Sequence, residues 1–257
     1  MNRRPAFPGY DTEARFYDYC WSSFVRDIEF YRRRLGRPGR VLDLMCGTGR
    51  VGIALAQAGW DVDGVDQSRE MLRVARSKAR SLPARVRGRV RFHKSNLIGF
   101  RLSGGFDGAV IPVNSFPLIL ARRDRVCALR NVRRHLKDSG KLLLNIDTPI
   151  SYESAWAGAP SVAVFRLDGG RRWYVRSLAE SFIRQDLVRG LTTHVLVNRS
   201  GRIETSVTTE TQTRVLPISE VLSELRAAGY SRTRLFGDYD GTPLSDTSSF
   251  AVIEACV

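Results

Sequence analysis

VLDLMCGTGR, residues 41–50, carries a strand-like run into Gly47-Thr48-Gly49, and Gly52 beyond it completes the spacing G-x-G-x-x-G. A glycine turn between a strand and a helix is where open α/β sheets hold nucleotides. Glycine lets the backbone approach the ligand, and the helix N-terminus presents free N–H groups. The spacing alone is weak, because glycines also serve tight packing. The acids are more informative. Asp43 lies inside the strand, where a nicotinamide site needs only apolar residues and a cofactor bearing a positively charged amine uses a carboxylate. Asp66 ends the next strand, placed to accept hydrogen bonds from ribose hydroxyls. Asn96 ends the third, where an amide can read the edge of adenine.

Outward from this turn the chain alternates. RVLDLM reads as a buried strand, GRVGIALAQAG as a helix closed by Gly59, DVDGVD as a second strand, and SREMLRVARSKARSL as a helix with Ser68 as N-cap. VRFHKSN and FDGAVIPVN supply a third and fourth strand. RDRVCALRNVRRHLKDSG reads as a helix with Gly140 past its end, and KLLLNID as a fifth strand. Strands alternating with helices of this length mean parallel βαβ units. After Pro149 the pattern changes to short β-branched and aromatic runs separated by DGG and NRSGR, the signature of antiparallel hairpins. PISEVLSELRAAGY then resumes a helix, and TRLFGD and SFAVIEACV close the sheet. Ahead of it all, residues 10–35 place Phe16, Tyr17, Tyr19, Cys20, Phe24, Ile28 and Phe30 at mostly helical spacing, an amphipathic helical segment.

Composition narrows the class. With 257 residues, 43% of them hydrophobic, the chain supports one sizeable core. It has no apolar run approaching the roughly 20 residues of a membrane span, and no apolar segment follows the basic N-terminus as in a secretory signal. A soluble cytoplasmic protein is expected. Cys20, Cys46, Cys127 and Cys256 lie far apart with no His at ligand spacing, so neither a metal site nor a disulfide framework is expected. The net charge of +15 rests on 41 basic residues of which only four are Lys, an arginine excess read as genome bias. From Arg69 to Arg101 eleven basic residues face Glu70 alone, a cationic stretch that attracts polyanions or is simply solvated.

The five segments above, in register over residues 38–148, resemble the successive motifs of class I S-adenosylmethionine-dependent methyltransferases: VLDLMCGTGR the first, VDGVDQSREML the second, SNLIGF the third, FDGAVIPVNSF the fourth and HLKDSGKLLLNID the fifth. The resemblance implies an α/β fold, a Rossmann-like seven-stranded, mostly parallel sheet flanked by helices, with an antiparallel β insertion after strand five. Residues 1–37 are then an N-terminal helical cap, 38–149 the cofactor-binding core, 150–216 an antiparallel lid and 217–257 the completion of the core. It implies S-adenosyl-L-methionine as cofactor. Gly47 and Gly49 pack the backbone against it, Asp43 lies near its amino group, and Asp66 holds its ribose. Gln67 and Met71 flank the adenine, Asn96 and Leu97 meet the adenine amino edge, and Asn114 faces the sulfonium. One departure is Met45, which stands where the family's turn has its first glycine and narrows the backbone approach.

Methyl transfer from a sulfonium needs alignment, water exclusion and, for a protonated acceptor, removal of a proton. No catalytic triad is expected, and none is visible. The acceptor is expected at the ends of the parallel strands, under the lid: Ser115, Asp147, Trp156, Trp173 and Tyr239 from the core, lid and GDYDGTPLSDTS loop, with Tyr17 closing the far side. Base candidates are His194 on a lid strand, Tyr17, Tyr239 and Asp240. His135 is read instead as a helix C-terminal residue. The acceptor class implied is a small-molecule nitrogen or oxygen of natural-product or amino-sugar type, the enzyme being a monomer or homodimer. Three alternatives stand beside it: an RNA methyltransferase using the 69–101 face, a nicotinamide-dependent oxidoreductase using Gly47, Gly49 and Gly52, and a silent binding protein spoiled by Met45.

Overall fold

In the computed structural model, which describes residues 8–152, 160–184 and 186–257, three short helices open the chain: α1 (Pro8–Glu13), α2 (Tyr17–Trp21) and α3 (Arg26–Leu35). The sequence spacing anticipates one amphipathic run here. The chain instead bends at residues 14–16, which drives Phe16 to zero exposure beneath the insertion.

The alternating segment forms β1 (Arg40–Leu44), α4 (Arg50–Gln57), β2 (Asp61–Asp66), α5 (Arg69–Arg80), α6 (Ala84–Arg87), β3 (Val90–Lys94), β4 (Phe106–Ile111), α7 (Arg122–His135) and β5 (Leu136–Asp147). After the insertion come α8 (Ile218–Ala227), β10 (Arg232–Phe236) and β11 (Phe250–Cys256). The seven strands lie in the order β10-β11-β5-β4-β1-β2-β3, with only β11 antiparallel to its neighbours. Alternation at period two divides the core. Leu42, Leu44, Leu142, Leu144 and Ile146 meet α7 and α8 on one face, while Val41, Leu143 and Val252 meet α3 and α4 on the other. Strand order reverses between β1 and β4, so the crevice at their carboxyl ends is the position for a ligand.

Helix α7 ends four residues earlier than expected. Leu136 pairs with Phe106 and is buried, so the strand begins there, and a register shift follows before Gly108 meets Lys141. Gly140 sits in this irregular stretch, where a Cβ would stand 2.9 Å from the Lys137 carbonyl. His135 is the helix-terminal residue anticipated: Nδ1–H donates to the Asn131 carbonyl and Nε2 accepts from Leu102 N–H.

The insertion is a four-stranded antiparallel sheet of β6 (Ser161–Leu167), β7 (Arg172–Arg184), β8 (Leu187–Val197) and β9 (Ile203–Arg214). Both expected turns form. Asp168, Gly169 and Gly170 all have positive φ, and Asn198 Oδ1 accepts from Ser200 and Arg202 N–H. One face, with Tyr174, His194, Thr192 and Thr209, is buried; the other leaves Val162 and Val164 exposed. Among the described residues no helix is long and apolar enough to cross a membrane.

Candidate functional site

The three glycines of the turn serve three different purposes. Gly47 (φ +54) is touched only loosely: a Cβ there would stand in ordinary van der Waals contact with Met71 Sδ at 3.8 Å and Tyr17 Cε1 at 4.0 Å. Gly49 (φ +75) was expected to admit the cofactor, yet its missing Cβ faces inward, 2.8 Å from the Phe92 ring and 3.2 Å from Ala75. Its glycine is therefore a packing requirement. Gly52 admits Asp43: a Cβ would stand 2.8 Å from the carboxylate that accepts the Gly52 N–H. The dinucleotide-like spacing thus arises from a buried acid that satisfies the first turn of α4. Met45 keeps the left-handed conformation (φ +55) of a glycine turn despite its side chain, which packs on the apolar core.

Asp43 is fully buried, and burial pushes its carboxyl up to about 7. One oxygen holds Gly52 N–H; the other has no hydrogen-bond partner. Asp66 sits at the rim, with one oxygen accepting Gly47 N–H and the other Ser68 N–H, both at 2.8 Å. It braces the glycine turn against β2. Burial raises its proton affinity, while these backbone donors lower it. Ser68 caps α5 by accepting Met71 N–H, as its position implied. Gln67 follows at the rim and Met71 is buried beside Gly47. Asn96 and Leu97 follow β3. The Asn96 carboxamide oxygen accepts Gly99 N–H in a local turn, and the Leu97 side chain belongs to the core.

The N-terminal helices roof this crevice. Asp18 accepts from Thr48 Oγ1 at 2.7 Å and pairs with Lys78, and Asp11 accepts from Ser68 Oγ. Tyr17 is thereby held against Gly47. Its hydroxyl, with burial raising its pKa well above the usual phenol range, stays protonated, so Tyr17 is a wall and hydrogen-bond donor and not a base.

Beyond β4 the backbone turns through two successive left-handed residues, Val113 (φ +54) and Asn114 (φ +47). Such strain in side-chain-bearing residues persists only where surroundings hold it, and here they do. Asn114 N–H donates to Asn145 Oδ1, its carboxamide oxygen accepts Asp147 N–H, and its Nδ2 donates to Asp147 Oδ2 (2.8 Å) and the Tyr152 hydroxyl (3.1 Å). Burial first, then the nearby Glu180 charge, lift Asp147 to about 6, against the pull of Asn114. Ser115, expected to meet the acceptor, instead donates to the Pro112 carbonyl at 2.6 Å within its own turn.

Other expected residues lie elsewhere. His194 is enclosed: Phe16 stacks on it at 4.6 Å, Nδ1 bonds the Tyr174 hydroxyl and Nε2 faces Thr209, so it ties lid to cap and is no base. Tyr239 packs among Phe24, Phe30, Tyr31 and Phe250 in the core. Asp240 is exposed and accepts Thr242 N–H, which holds its carboxyl below the usual range. Trp173 projects from the lid face opposite Tyr174, beneath Arg166. Trp156 lies outside the described residues. Missed by sequence reading were Asn145, Tyr152 and Glu180. Of these only Tyr152, an aromatic just past the fifth strand, carries a signal that could have been used.

Residues 41–140 match the family model described as a methyltransferase domain. The match covers 100 of the 257 residues, the alternating strand–helix segment that holds the glycine turn. A protein of Bacillus subtilis named as a methyltransferase, YqeM, is 33% identical over 139 residues, 53% of this chain and 55% of its own. The chain thus spans about half the length of that curated relative. The cypemycin N-terminal methyltransferase of a Streptomyces species is 29% identical over 212 residues, 81% of this chain and 79% of its own. An amino pentose methyltransferase of Micromonospora echinaspora, solved with S-adenosylmethionine bound, superposes with a TM-score of 0.67 at 19% identity, covering both chains fully. That likeness concerns the fold. The residues of this crevice fit S-adenosylmethionine on their own terms: a buried acid oxygen without a donor, a left-handed glycine met only by Met71 and Tyr17, and a carboxylate at the rim.

Proposed function

We propose that the protein transfers a methyl group to a nitrogen or oxygen of a small-molecule metabolite of natural-product or amino-sugar type. The observation that carries this reading is the Asn114–Asp147–Tyr152 network. It stands at the carboxyl ends of β4 and β5, beside the donor crevice and beneath a lid that leaves the sheet directly after it. The cofactor supplies a methyl carbon on a cationic sulfur, which keeps the bonding electrons when the carbon leaves. The chain supplies the rest. Asp66 and the Gly47 turn hold the donor end, Tyr17 and the cap exclude water, and Asn114 fixes the Asp147 carboxylate toward the acceptor.

The cypemycin relative, named for action on an N-terminus, supports a compact acceptor bearing a nucleophilic nitrogen. Placement of the basic run weakens the RNA alternative. Arg69 to Arg101 covers α5, α6 and β3 at the far edge of the sheet, three strands from β4. Calorimetry with S-adenosylhomocysteine tests the donor assignment. Wild type binds, and Asp66→Ala weakens binding at least about tenfold, because a charge-assisted hydrogen-bond acceptor is lost. Unchanged affinity in that variant removes the proposed crevice.

A further inference from the structure

Glu180 lies on β7, on the same face as Tyr174 and Phe182, the face turned toward the core. Two residues along, Phe182 packs edge-on against Tyr152, whose hydroxyl is part of the Asn114–Asp147 network. Opposite Glu180 across the ladder is Gly190, where the place of a Cβ is taken by Thr211 Oγ1 and Leu178. The Glu180 charge lifts Asp147 and Tyr152, and burial lifts Glu180 itself. Among the described residues neither acid has an ion-pair partner within 4.0 Å, and Glu180 has no hydrogen-bond partner. Arg176, farther along β7, moderates Glu180 from a distance, and Tyr239 is the remaining titratable group near Asp147.

In a chain with 41 basic residues and 26 acidic ones, three fully buried acids take arginine partners: Asp27 takes Arg50, Glu224 takes Arg125 and Glu254 takes Arg34. Like Asp43 and Asp66 at the donor end, Glu180 and Asp147 take none. Two carboxylates withdrawn from water without a cation are costly unless a cation arrives from outside. The Phe182–Tyr152 contact brings this part of β7 to the acceptor end of the crevice. Resting on the methyl-transfer reading above, we propose that Glu180 is an acceptor-recognition residue. With Asp147 it receives the acceptor as an ammonium ion, so the methylated atom is an amine nitrogen and not a hydroxyl oxygen.

The chemistry then divides between the two acids. Glu180, from the lid, holds the ammonium by charge. Asp147, oriented by Asn114, takes one ammonium proton: an N–H bond breaks, an O–H bond forms on the carboxyl, and the electron pair stays on nitrogen, ready for the methyl carbon. Burial brings the Asp147 carboxyl nearer the proton affinity of an amine and so reduces the cost of that transfer. An alcohol would bring no positive charge to the pair and is too weak an acid to yield its proton to either carboxylate.

The test uses the full chain loaded with S-adenosylhomocysteine and two matched probe pairs: 3-amino-3-deoxyglucose with glucose, and benzylamine with benzyl alcohol. Binding is measured by calorimetry for wild type and Glu180→Gln, and thermal unfolding of each free protein is recorded at pH 8. Wild type is expected to prefer the amine of at least one pair by about tenfold or more, as for a hydrogen bond to a charged group. Glu180→Gln loses that preference, keeps its S-adenosylhomocysteine affinity, and melts no lower than wild type, since an unpaired charge has been removed. Equal binding of amine and alcohol, no binding of any probe, a preference retained by Glu180→Gln, or a lowered melting temperature would each overturn the assignment. Failure of wild type to bind S-adenosylhomocysteine is a separate result, and it strikes the methyl-transfer reading itself.

Discussion

Replacing Asp147 by Asn should make the free protein more stable at neutral and alkaline pH. The carboxyl is lifted from 3.8 to about 6 in the folded chain, so at pH 8 its ionised form is disfavoured by about 3 kcal/mol, at 1.36 kcal/mol per pH unit, as an upper figure. The sign follows from linkage. A carboxyl with a raised folded pKa binds more protons folded than unfolded between the two values, so stability declines as pH rises from about 4 to about 6 and stays reduced above. Asparagine keeps an oxygen to accept the Asn114 Nδ2–H and carries no charge beside Glu180. For a chain of this size about 3 kcal/mol corresponds to roughly 6–12 °C in Tm. Paired urea or thermal unfolding curves from pH 4 to 8.5 measure the difference. Wild type and Asp147→Asn should coincide near pH 4 and separate progressively to pH 6–7, with the variant higher. Curves that run parallel, or a variant less stable at pH 8, would refute the claim that this carboxylate is held charged without a cationic partner. Loss of transferase activity in the same variant is expected and does not bear on that claim.

Two further outcomes follow from buried contacts. Gly52→Ala places a methyl 2.8 Å from the Asp43 carboxylate and 3.2 Å from Val62; overpacking of this kind costs about 1–3 kcal/mol, visible as a lower urea midpoint, and it should weaken S-adenosylhomocysteine binding by shifting the glycine turn. Asp27→Ala strands Arg50, which is buried and donates to both Asp27 oxygens and the Phe24 carbonyl; a loss of about 3–5 kcal/mol is expected. Asp27→Leu combined with Arg50→Met should recover most of it in denaturant titrations.

Much of the donor half was legible because its parts are local. Asp43, Gly47, Gly52, Asp66, Ser68 and Met71 lie within a stretch of 29 residues along two consecutive strand–helix units, so period and spacing place them in space. Even here the cause of a residue type was hidden. Gly49 and Gly52 look like ligand-facing glycines, yet they answer to Phe92 and Asp43, and only coordinates separate a glycine that clears a ligand from one that clears a neighbour. Asn96 matched a strand-ending position, but a short polar side chain also bonds its own turn, and that local bond won.

The acceptor half resisted for a different physical reason. Its lid is a sheet with apolar residues on both faces, Val162 and Val164 outward, Tyr174 and Val188 inward. With no polar face to mark the outside, the parity of RRWYVRS is undetermined, and choosing Trp173 over Tyr174 was a one-residue slip that reverses the face. His194 looked like a base because a histidine on a strand carries no mark of what covers it; Phe16, 178 positions earlier, does so. Glu180 looked like any charged strand residue for the converse reason. What distinguishes it is the absence of a cation, and an absence among residues drawn from β4, β5 and β7 has no spacing to read. The acceptor preference therefore resides in contacts between distant segments, whereas the donor preference resides within contiguous ones. Substitutions at Glu180 and Phe182 should accordingly redirect the acceptor while leaving donor affinity intact, because the Gly47–Asp66 brace and the cap contacts at Thr48 and Ser68 involve no lid residue, whereas changes at Tyr174, His194 or Thr209 would loosen the cap itself.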